Sequence, residues 1–243
     1  MVKHASICAM QIIETSVIGV RSAVITFRRP ETPMQIVLFP MLHLGTRGFY
    51  KAVAARLRDC QLVVAEGIRG RSGTVSLLTM SYRLLGRSRR LGLVVQELHL
   101  EALSVPVIRP DMTGNELDSR WRKEVSRLHR LLIIPAVPVF AVGMLMFGTR
   151  RVLGRYLALD DLPTREQEMA DAAFEDVDKL IVHDRDVLLI DTLTSIHKER
   201  CTEAIKVAVV YGAGHMPAVA AVLVARLGYH ARSAEWLTVF DYS

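Results

Sequence analysis

Unbroken apolar runs, bounded by polar residues and turn formers, are the main regularity along this chain. Such runs are typical of strands buried on both faces of a sheet, whereas apolar residues at intervals of three and four indicate amphipathic helices. The segment at 29–33 contains two prolines and favours a turn that joins the first two runs into a hairpin. The predicted strands are Ala23 to Phe27, Gln35 to Leu42, Gln61 to Glu66, Val207 to Tyr211 and Ala231 to Tyr242.

The intervals between these strands contain apolar residues at the spacing of a helix. Apolar residues at 49, 53, 54 and 57 predict a helix soon after the second strand. Another helix is predicted to begin near Pro217 and to end before Gly228. The Thr-x-x-Gln spacing at 164–167 has the form of a capping box, which would start a long helix or helix pair running to about Lys198.

Strands that alternate with helices predict an α/β (α+β) fold, with a central mixed sheet flanked by helices. The length of 243 residues and a hydrophobic fraction of 51% suit one domain covering 1–243, with two domains as the alternative. The stretch at about 74–159 is mostly helical and less regular, so we interpret it as an insertion. Within it, the residues from Asp111 to Gly114 form a break that is expected to cap the next helix.

An uncharged apolar segment at 131–148 is about long enough to cross a bilayer. Arginines flank both of its ends without asymmetry, and Pro135 and Pro138 would interrupt backbone bonding early in a span. A single span would also separate His43 from His215 on opposite sides of the membrane. The segment therefore favours a membrane-dipping or dimer-forming helical hairpin, with a buried core helix as the alternative.

The formal charge of +6 leaves nucleic acid and anionic lipid open as partners, so the distribution of charge matters more than its total. Residues 67–96 contain six arginines and no acid, whereas the region 156–186 is strongly acidic. Tyr82 is the only aromatic residue among those arginines, so a base-stacking surface is poorly supported. We expect a solvated or lipid-facing basic surface and no nucleic-acid partner.

Three widely separated cysteines, Cys8, Cys60 and Cys201, form neither a disulfide framework nor a Cys-x-x-Cys metal motif, which fits a reducing compartment. Gln11 and Glu14 interrupt the apolar stretch near the amino terminus before it makes a signal-peptide core. The expected location is the cytoplasm, with peripheral contact at the inner membrane.

Two histidines and a glutamate each follow an apolar run: His43, Glu66 and His215. Ligands of open α/β sheets bind beyond the carboxyl ends of strands, so these three side chains can converge. Histidine and carboxylate ligands that leave one coordination position open are typical of catalytic Zn²⁺ or Mn²⁺ sites. Either histidine alone is better explained by a hydrogen bond to a neighbouring loop, but the three together favour a polar or metal-binding centre.

Other catalytic signatures are absent from the sequence. It contains no His-Glu-x-x-His, no Gly-x-Ser-x-Gly and no Gly-x-x-x-x-Gly-Lys. Gly212-Ala213-Gly214 offers two glycines of a dinucleotide fingerprint, but Pro217 occupies the place of the third. The sequence therefore argues against a zincin, an elbow-type serine hydrolase, a P-loop enzyme and a Rossmann dehydrogenase.

Three longer blocks surround the candidate residues, and weaker echoes lie between and after them. The blocks are Met41-Leu42-His43-Leu44-Gly45 with Phe49-Tyr50, Val63-Val64-Ala65-Glu66-Gly67, and Tyr211-Gly212-Ala213-Gly214-His215-Met216-Pro217. The echoes are Asp111-Met112, Arg185-Asp186 and Trp236 to Asp241. Together they resemble the TraB/PrgY/GumN-like family of the Tiki superfamily, which is similar to the erythromycin-esterase and ChaN-like proteins.

The resemblance implies a metal-dependent, peptidase-like hydrolase that uses a divalent ion such as Mn²⁺, Co²⁺ or Zn²⁺. It implies that His43, Glu66 and His215 are metal ligands, with Glu66 as ligand or general base. Arg185 would stabilise an oxyanion or a substrate carboxylate, although a surface ion pair with a neighbouring acid is the plain alternative.

The glycines of the third block, Gly212 and Gly214, would let the backbone approach a substrate closely. Asp111 matches the family pattern but is as readily a helix N-cap as a site residue.

Two positions depart from the family pattern: Pro40 replaces a glycine, and Asp186 replaces an asparagine. Proline fixes φ and removes a donor, so the turn before His43 cannot follow a glycine conformation with positive φ. The rival interpretation is a non-catalytic binding or regulatory protein that captures a peptide, haem or metal and associates with a membrane or a homodimer partner. Displacement of His43 by Pro40 would favour that interpretation.

Overall fold

The computed structural model describes residues 11–96, 98–157 and 174–243, and its centre is a mixed sheet with seven strands in those residues. The predicted α/β architecture, a mixed sheet flanked by helices, is confirmed. A small second sheet consists of β4 and β6. The strands are β1 (Ile13–Thr15), β2 (Gly19–Arg28), β3 (Gln35–Met41), β4 (Leu44–Gly45), β5 (Leu62–Ala65), β6 (Val94–Val95), β7 (Val107–Ile108), β8 (Lys206–Gly212) and β9 (His230–Asp241).

The main sheet has an antiparallel half and a parallel half. β9 pairs with one edge of β2 along its whole length. On the opposite edge, residues 20–22 of β2 pair with β1 and residues 25–28 pair with β3. The predicted hairpin is confirmed as β2 and β3. β3, β8, β5 and β7 then lie side by side in that order, all parallel. Their carboxyl ends therefore meet at one edge of the sheet, where ligands of such sheets bind.

Helices connect the parallel strands. In the described residues they are α1 (Arg47–Leu57), α2 (Gly73–Leu78), α3 (Met80–Leu85), α4 (Gly114–Glu124), α5 (Arg127–Phe147), α6 (Arg150–Leu157), α7 (Glu175–Asp178), α8 (Asp184–Arg200) and α9 (Met216–Ala225). A π-helical turn occupies Lys179–His183, and 3-10 turns occupy Leu100–Leu103 and Ala213–His215. The predicted helices after the second strand and near Pro217 are confirmed as α1 and α9. The predicted capping box at 164–167 lies outside the described residues.

The stretch interpreted as a helical insertion contains strands as well as helices. β7 extends the main sheet beyond β5, and β6 pairs with β4 immediately after His43. The predicted cap is present, because the Thr113 side chain accepts a hydrogen bond from the Glu116 N–H at the start of α4. Asp111, the other candidate for that cap, is buried elsewhere.

The apolar segment forms one continuous helix, α5, so the predicted helical hairpin is wrong. The buried-core alternative is also wrong, because only 11% of the most apolar part of this helix is buried. Pro135 and Pro138 lie inside the helix and do not end it. By length and composition alone, α5 is able to cross a membrane.

Two hydrophobic clusters stabilise the fold. The main cluster surrounds β3, β5 and β8, which are buried along nearly their whole length. Their unbroken apolar runs fit this position, because both faces of each strand are covered. The second cluster, centred on Leu117, Trp121 and Leu180, joins α4 to the π-helical turn. It thereby supports the start of α8.

Pro40 fits into β3 without breaking the sheet. The pairing of β3 with β2 ends at Leu38, so the missing N–H of Pro40 leaves no gap in that ladder. The buried Ser22 hydroxyl donates to the Pro40 carbonyl at 2.7 Å. This hydrogen bond anchors the end of β3 just before His43.

We expect Ser22→Ala to lower the free energy of unfolding by about 1–2 kcal/mol, because the buried Pro40 carbonyl would lose its hydroxyl donor. Urea unfolding followed by circular dichroism measures this. Ser233→Ala, at an exposed position of β9, is the matched control and should change stability by less than about 0.5 kcal/mol. Equal losses in the two variants would contradict an anchoring role for Ser22.

Candidate active site

The ends of the parallel strands deliver polar side chains to one place. His43 follows β3, Glu66 follows β5, Asp111 follows β7, and His215 ends the 3-10 turn after β8. Glu66 Oε1 lies 3.9 Å from His215 Nε2. His43 and Glu66 line the same cavity. The structure therefore gathers the three residues that the sequence singled out.

A buried ionic network holds Glu66 in position. Arg185 Nη2 donates to Glu66 Oε1 at 2.7 Å and to Asp111 Oδ2 at 2.6 Å, and Arg185 Nε donates to Asp111 Oδ1 at 2.9 Å. The side chain of Arg185 is 7% exposed and that of Asp111 is 0% exposed, so water screens these charges weakly. The network ties the first turn of α8 to the ends of β5 and β7.

Backbone N–H groups donate further hydrogen bonds to the carboxylates of Glu66 and Asp111. The second oxygen of Glu66 accepts from the Gly212 N–H at 2.8 Å. A Cβ at position 212 would lie 3.2 Å from that oxygen, so glycine leaves room for this close approach. Asp111 accepts from the N–H groups of Gly67 at 3.2 Å and Met112 at 3.0 Å. Both carboxylates are therefore fixed by charge and by backbone hydrogen bonds.

His215 is oriented by an acid. Its Nδ1 lies 2.7 Å from Asp186 Oδ1, and both residues are buried. A carboxylate oxygen accepts hydrogen bonds, so Nδ1 is the donor to Asp186 and Nε2 is the nitrogen whose lone pair a cation or a proton would use. That lone pair lies on the side of Glu66. A carboxylate behind an imidazole is a common way to orient a histidine that binds a metal or accepts a proton.

His43 lies against Tyr82, with ring centroids 4.8 Å apart. Burial lowers the pKa of His43 below its ordinary 6.5; the charge of Glu66 opposes this shift, and Arg185 and His215 add to it. His43 is therefore mostly neutral at pH 7 and able to bind a metal or accept a proton. Burial, with a contribution from Glu66, raises the pKa of Tyr82, which keeps its hydroxyl proton.

Glu66 is ionised despite its surroundings. Burial by itself favours the protonated acid, but Arg185, His215 and His43 outweigh burial and hold the pKa of Glu66 below its ordinary 4.5. A carboxylate with a lowered pKa is a weak base but a good ligand for a cation.

An open cavity of about 460 Å³ adjoins these groups. Its polar end is formed by His43, Glu66, Arg185 and Tyr82. Its apolar wall is formed by Ile68, Val75, Leu78, Leu117, Val177 and Ile181. A few convergent polar groups in a mostly apolar cavity are typical of a small-molecule or substrate site.

The surface ion pair considered for Arg185 is wrong. The guanidinium is buried, and the flanking acids have other partners: Asp184 pairs with Arg120, and Asp186 pairs with His215.

A Cβ at Gly214 would meet no heavy atom within 4 Å, so no close contact requires a glycine there.

Sequence reasoning missed two side chains of this site. In the sequence, Asp186 stands out only as a departure from the family pattern, although an acid beside Arg185 on a helix is a usable signal. Tyr82 carries no such signal, because α3 brings it to His43 only through the fold. The sequence left Asp111 open as a helix cap or a site residue; in the structure Thr113 caps the helix, and Asp111 forms a buried pair with Arg185.

The donor types present suit a divalent cation, because two imidazoles and a carboxylate lie together and Asp186 fixes the His215 tautomer. Within the described ranges, however, no three His, Cys, Asp or Glu side chains already form a metal-binding group. Binding of an ion would therefore require local adjustment of these side chains.

The fold and site define an α/β protein with a buried guanidinium between two carboxylates, beside a pair of histidines at the carboxyl edge of the sheet. No protein-family model matches the chain, and no significant match exists to a curated protein or a solved structure.

We expect Arg185→Met to destabilise the fold by about 3–5 kcal/mol, because it leaves two buried carboxylates without their cation. Chemical unfolding at pH 7 measures the loss. Arg200→Met is the matched control: it removes an exposed pair with Glu203 and should cost less than about 1 kcal/mol. Similar losses in both variants would show that the network contributes no more than a surface pair.

We expect His43 to make the fold less stable as the pH falls below 6.5. Its folded pKa is lowered by burial, so its contribution is fully present above the unfolded pKa of 6.5 and is lost toward the folded pKa. Unfolding between pH 8 and pH 5, with EDTA present, should show a smaller pH dependence for His43→Gln than for the wild type. The control is His230→Gln, at an exposed position. A wild-type pH dependence in His43→Gln would contradict this assignment.

Proposed function

We propose that this chain is a metal-dependent hydrolase of the TraB/PrgY/GumN-like type, with the Tiki, erythromycin-esterase and ChaN-like variant of the α/β fold. Its substrate would contain a peptide bond or a related amide or ester bond. The observation that carries the proposal is the His215 ring, which Asp186 holds so that Nε2 lies 3.9 Å from the ionised Glu66 beside an open cavity.

His43, Glu66 and His215 are the residues that would hold the divalent ion. Such a donor set is typical of Zn²⁺ and also suits Mn²⁺ or Co²⁺. When bound, the ion would supply Lewis-acid polarisation of the scissile carbonyl. A metal ligand must be a neutral imidazole or an ionised carboxylate, and the lowered pKa values of His43 and Glu66 favour these states in those two residues at neutral pH.

The roles of the two charged residues follow from their hydrogen bonds. Glu66 is a ligand in this proposal and not the general base, because a lowered pKa makes it a weak base. Arg185 has five N–H bonds, and four of them donate to Asp111, Glu66 and the Ile181 carbonyl. Arg185 therefore positions Glu66, and a single Nη1 hydrogen remains for a substrate oxygen.

The cavity suggests the form of the substrate. A carbonyl at the polar end would lie near the Tyr82 hydroxyl, which is protonated and able to donate a hydrogen bond. The apolar wall would receive an aliphatic or aromatic group attached to that carbonyl. Peptides with an apolar side chain and esters with an apolar acyl group both meet this description.

A non-catalytic binding or regulatory role is the second candidate. It is favoured by the occupation of both Glu66 oxygens, one by Arg185 and one by the Gly212 N–H. If these bonds persist, the site would capture a peptide, haem or metal without turnover.

Metal content after dialysis against mixed Mn²⁺, Co²⁺ and Zn²⁺ tests the proposal first. We expect about one equivalent in the wild type, loss of the ion in His215→Ala, and retention in the control His230→Ala. The wild type should then hydrolyse members of peptide or ester libraries, and a chelator should abolish the hydrolysis.

Three outcomes would contradict the proposal in different ways. Bound metal without turnover favours the binding role, and so does the absence of both metal and turnover. Hydrolysis that persists in the chelator would keep the hydrolase assignment but remove its dependence on metal.

A further inference from the structure

The outer face of α5 is an exposed apolar stripe. Residues at 128, 131, 135, 139, 142 and 146 recur at intervals of three and four, and all are exposed and apolar. Leu131 and Val139 are each 70% exposed and Met146 is 60% exposed. A helix on a water-facing surface normally presents polar residues on its outer face, so this stripe requires another explanation.

The inner face of α5 is packed against the protein. Ala141 and Met144 are buried, and Ile133 contacts the second hydrophobic cluster. Arg90 donates to the Met144 carbonyl in the last turn of α5 and, at 2.5 Å, to the carbonyl of Gly148, which follows the helix. A helix that crosses a bilayer would have to lose these contacts or carry them, with the Arg90 guanidinium, into the hydrocarbon region, so the contacts favour a position along a surface over a span.

The charge beside the stripe is positive. Residues 127–157 contain no acid. At the amino-terminal end Asp176 bonds to the Ser126 N–H and to His129, so local positive charge is reduced there. Toward the other end four arginines are exposed: Arg87, Arg89, Arg151 and Arg155.

Two aromatic side chains lie near the same end of α5. Phe140 of α5 makes an edge contact with Tyr156 of α6, with ring centroids 5.4 Å apart. Both side chains are partly or largely exposed, Tyr156 at 67%. Tyrosine is enriched at the boundary between lipid and water, where its ring is apolar and its hydroxyl remains hydrated.

We propose that α5 is a docking surface for an anionic lipid bilayer, lying in the plane of the membrane with its apolar stripe among the acyl chains. An amphipathic contact of this kind combines buried apolar area with attraction between arginines and anionic headgroups. A second copy of the chain that packed stripe against stripe would bring another acid-free segment 127–157 to the exposed arginines, whereas anionic headgroups would complement them. The proposal is independent of hydrolysis, since α5 contributes no side chain to the polar end of the cavity.

Vesicle flotation of the full chain tests this proposal. The wild type should float with vesicles of phosphatidylcholine containing about one third phosphatidylglycerol, and roughly tenfold less with pure phosphatidylcholine. Leu131→Glu with Val139→Glu should reduce flotation at least about tenfold, because two charges would enter the acyl region. The matched control, Val224→Glu on α9, replaces an exposed valine away from the stripe and should float like the wild type.

A second variant separates docking from a folding defect. Arg151→Gln with Arg155→Gln leaves the stripe intact and should weaken flotation with anionic vesicles while the circular dichroism spectrum stays unchanged. Equal flotation of the wild type and the double glutamate variant would overturn the proposal. Retention in membranes washed with alkaline carbonate would overturn it in favour of a span. If the wild type does not bind vesicles but forms a dimer that Val139→Glu dissociates, the stripe is instead the contact surface for a second copy.

Discussion

The pairing of the Arg185 guanidinium with Glu66 and Asp111 is the interaction on which the candidate site depends. A buried charge is tolerated only when paired and hydrogen-bonded, so the three side chains are stable as a unit and not separately. The pairing fixes the start of α8 against the ends of β5 and β7. It also keeps Glu66 ionised and sets the helix position from which Asp186 reaches His215.

Much of this arrangement could be predicted from local patterns. Unbroken apolar runs identified β3, β5 and β8, because strands covered on both faces leave few polar positions. The gathering of His43, Glu66 and His215 followed from one rule, that parallel strands present their carboxyl ends at the same edge. The contact between Arg185 and Asp111 could not be predicted in this way, since 74 residues separate them and no periodic pattern links them.

Helix α5 shows where local patterns fail. Two prolines suggested a break, because each removes a backbone donor, and apolar composition suggested burial. The helix nevertheless continues through Pro135 and Pro138, and its last turn is held by Arg90, a residue more than fifty positions earlier. Composition identified an unusual segment, but its contacts along one face decide how much of it is exposed.

The π-helical turn at Lys179–His183 has a consequence for the alignment of the site. Each added residue rotates the remainder of a helix by about 100° around its axis, so a turn with an extra residue changes which face the next residues present. Ile181 borders the cavity, and Arg185 and Asp186 are directed at the strand ends. Loss of one residue here would turn both polar side chains away together. We therefore expect natural variants of this protein to differ in the residues of this turn more often than in its length.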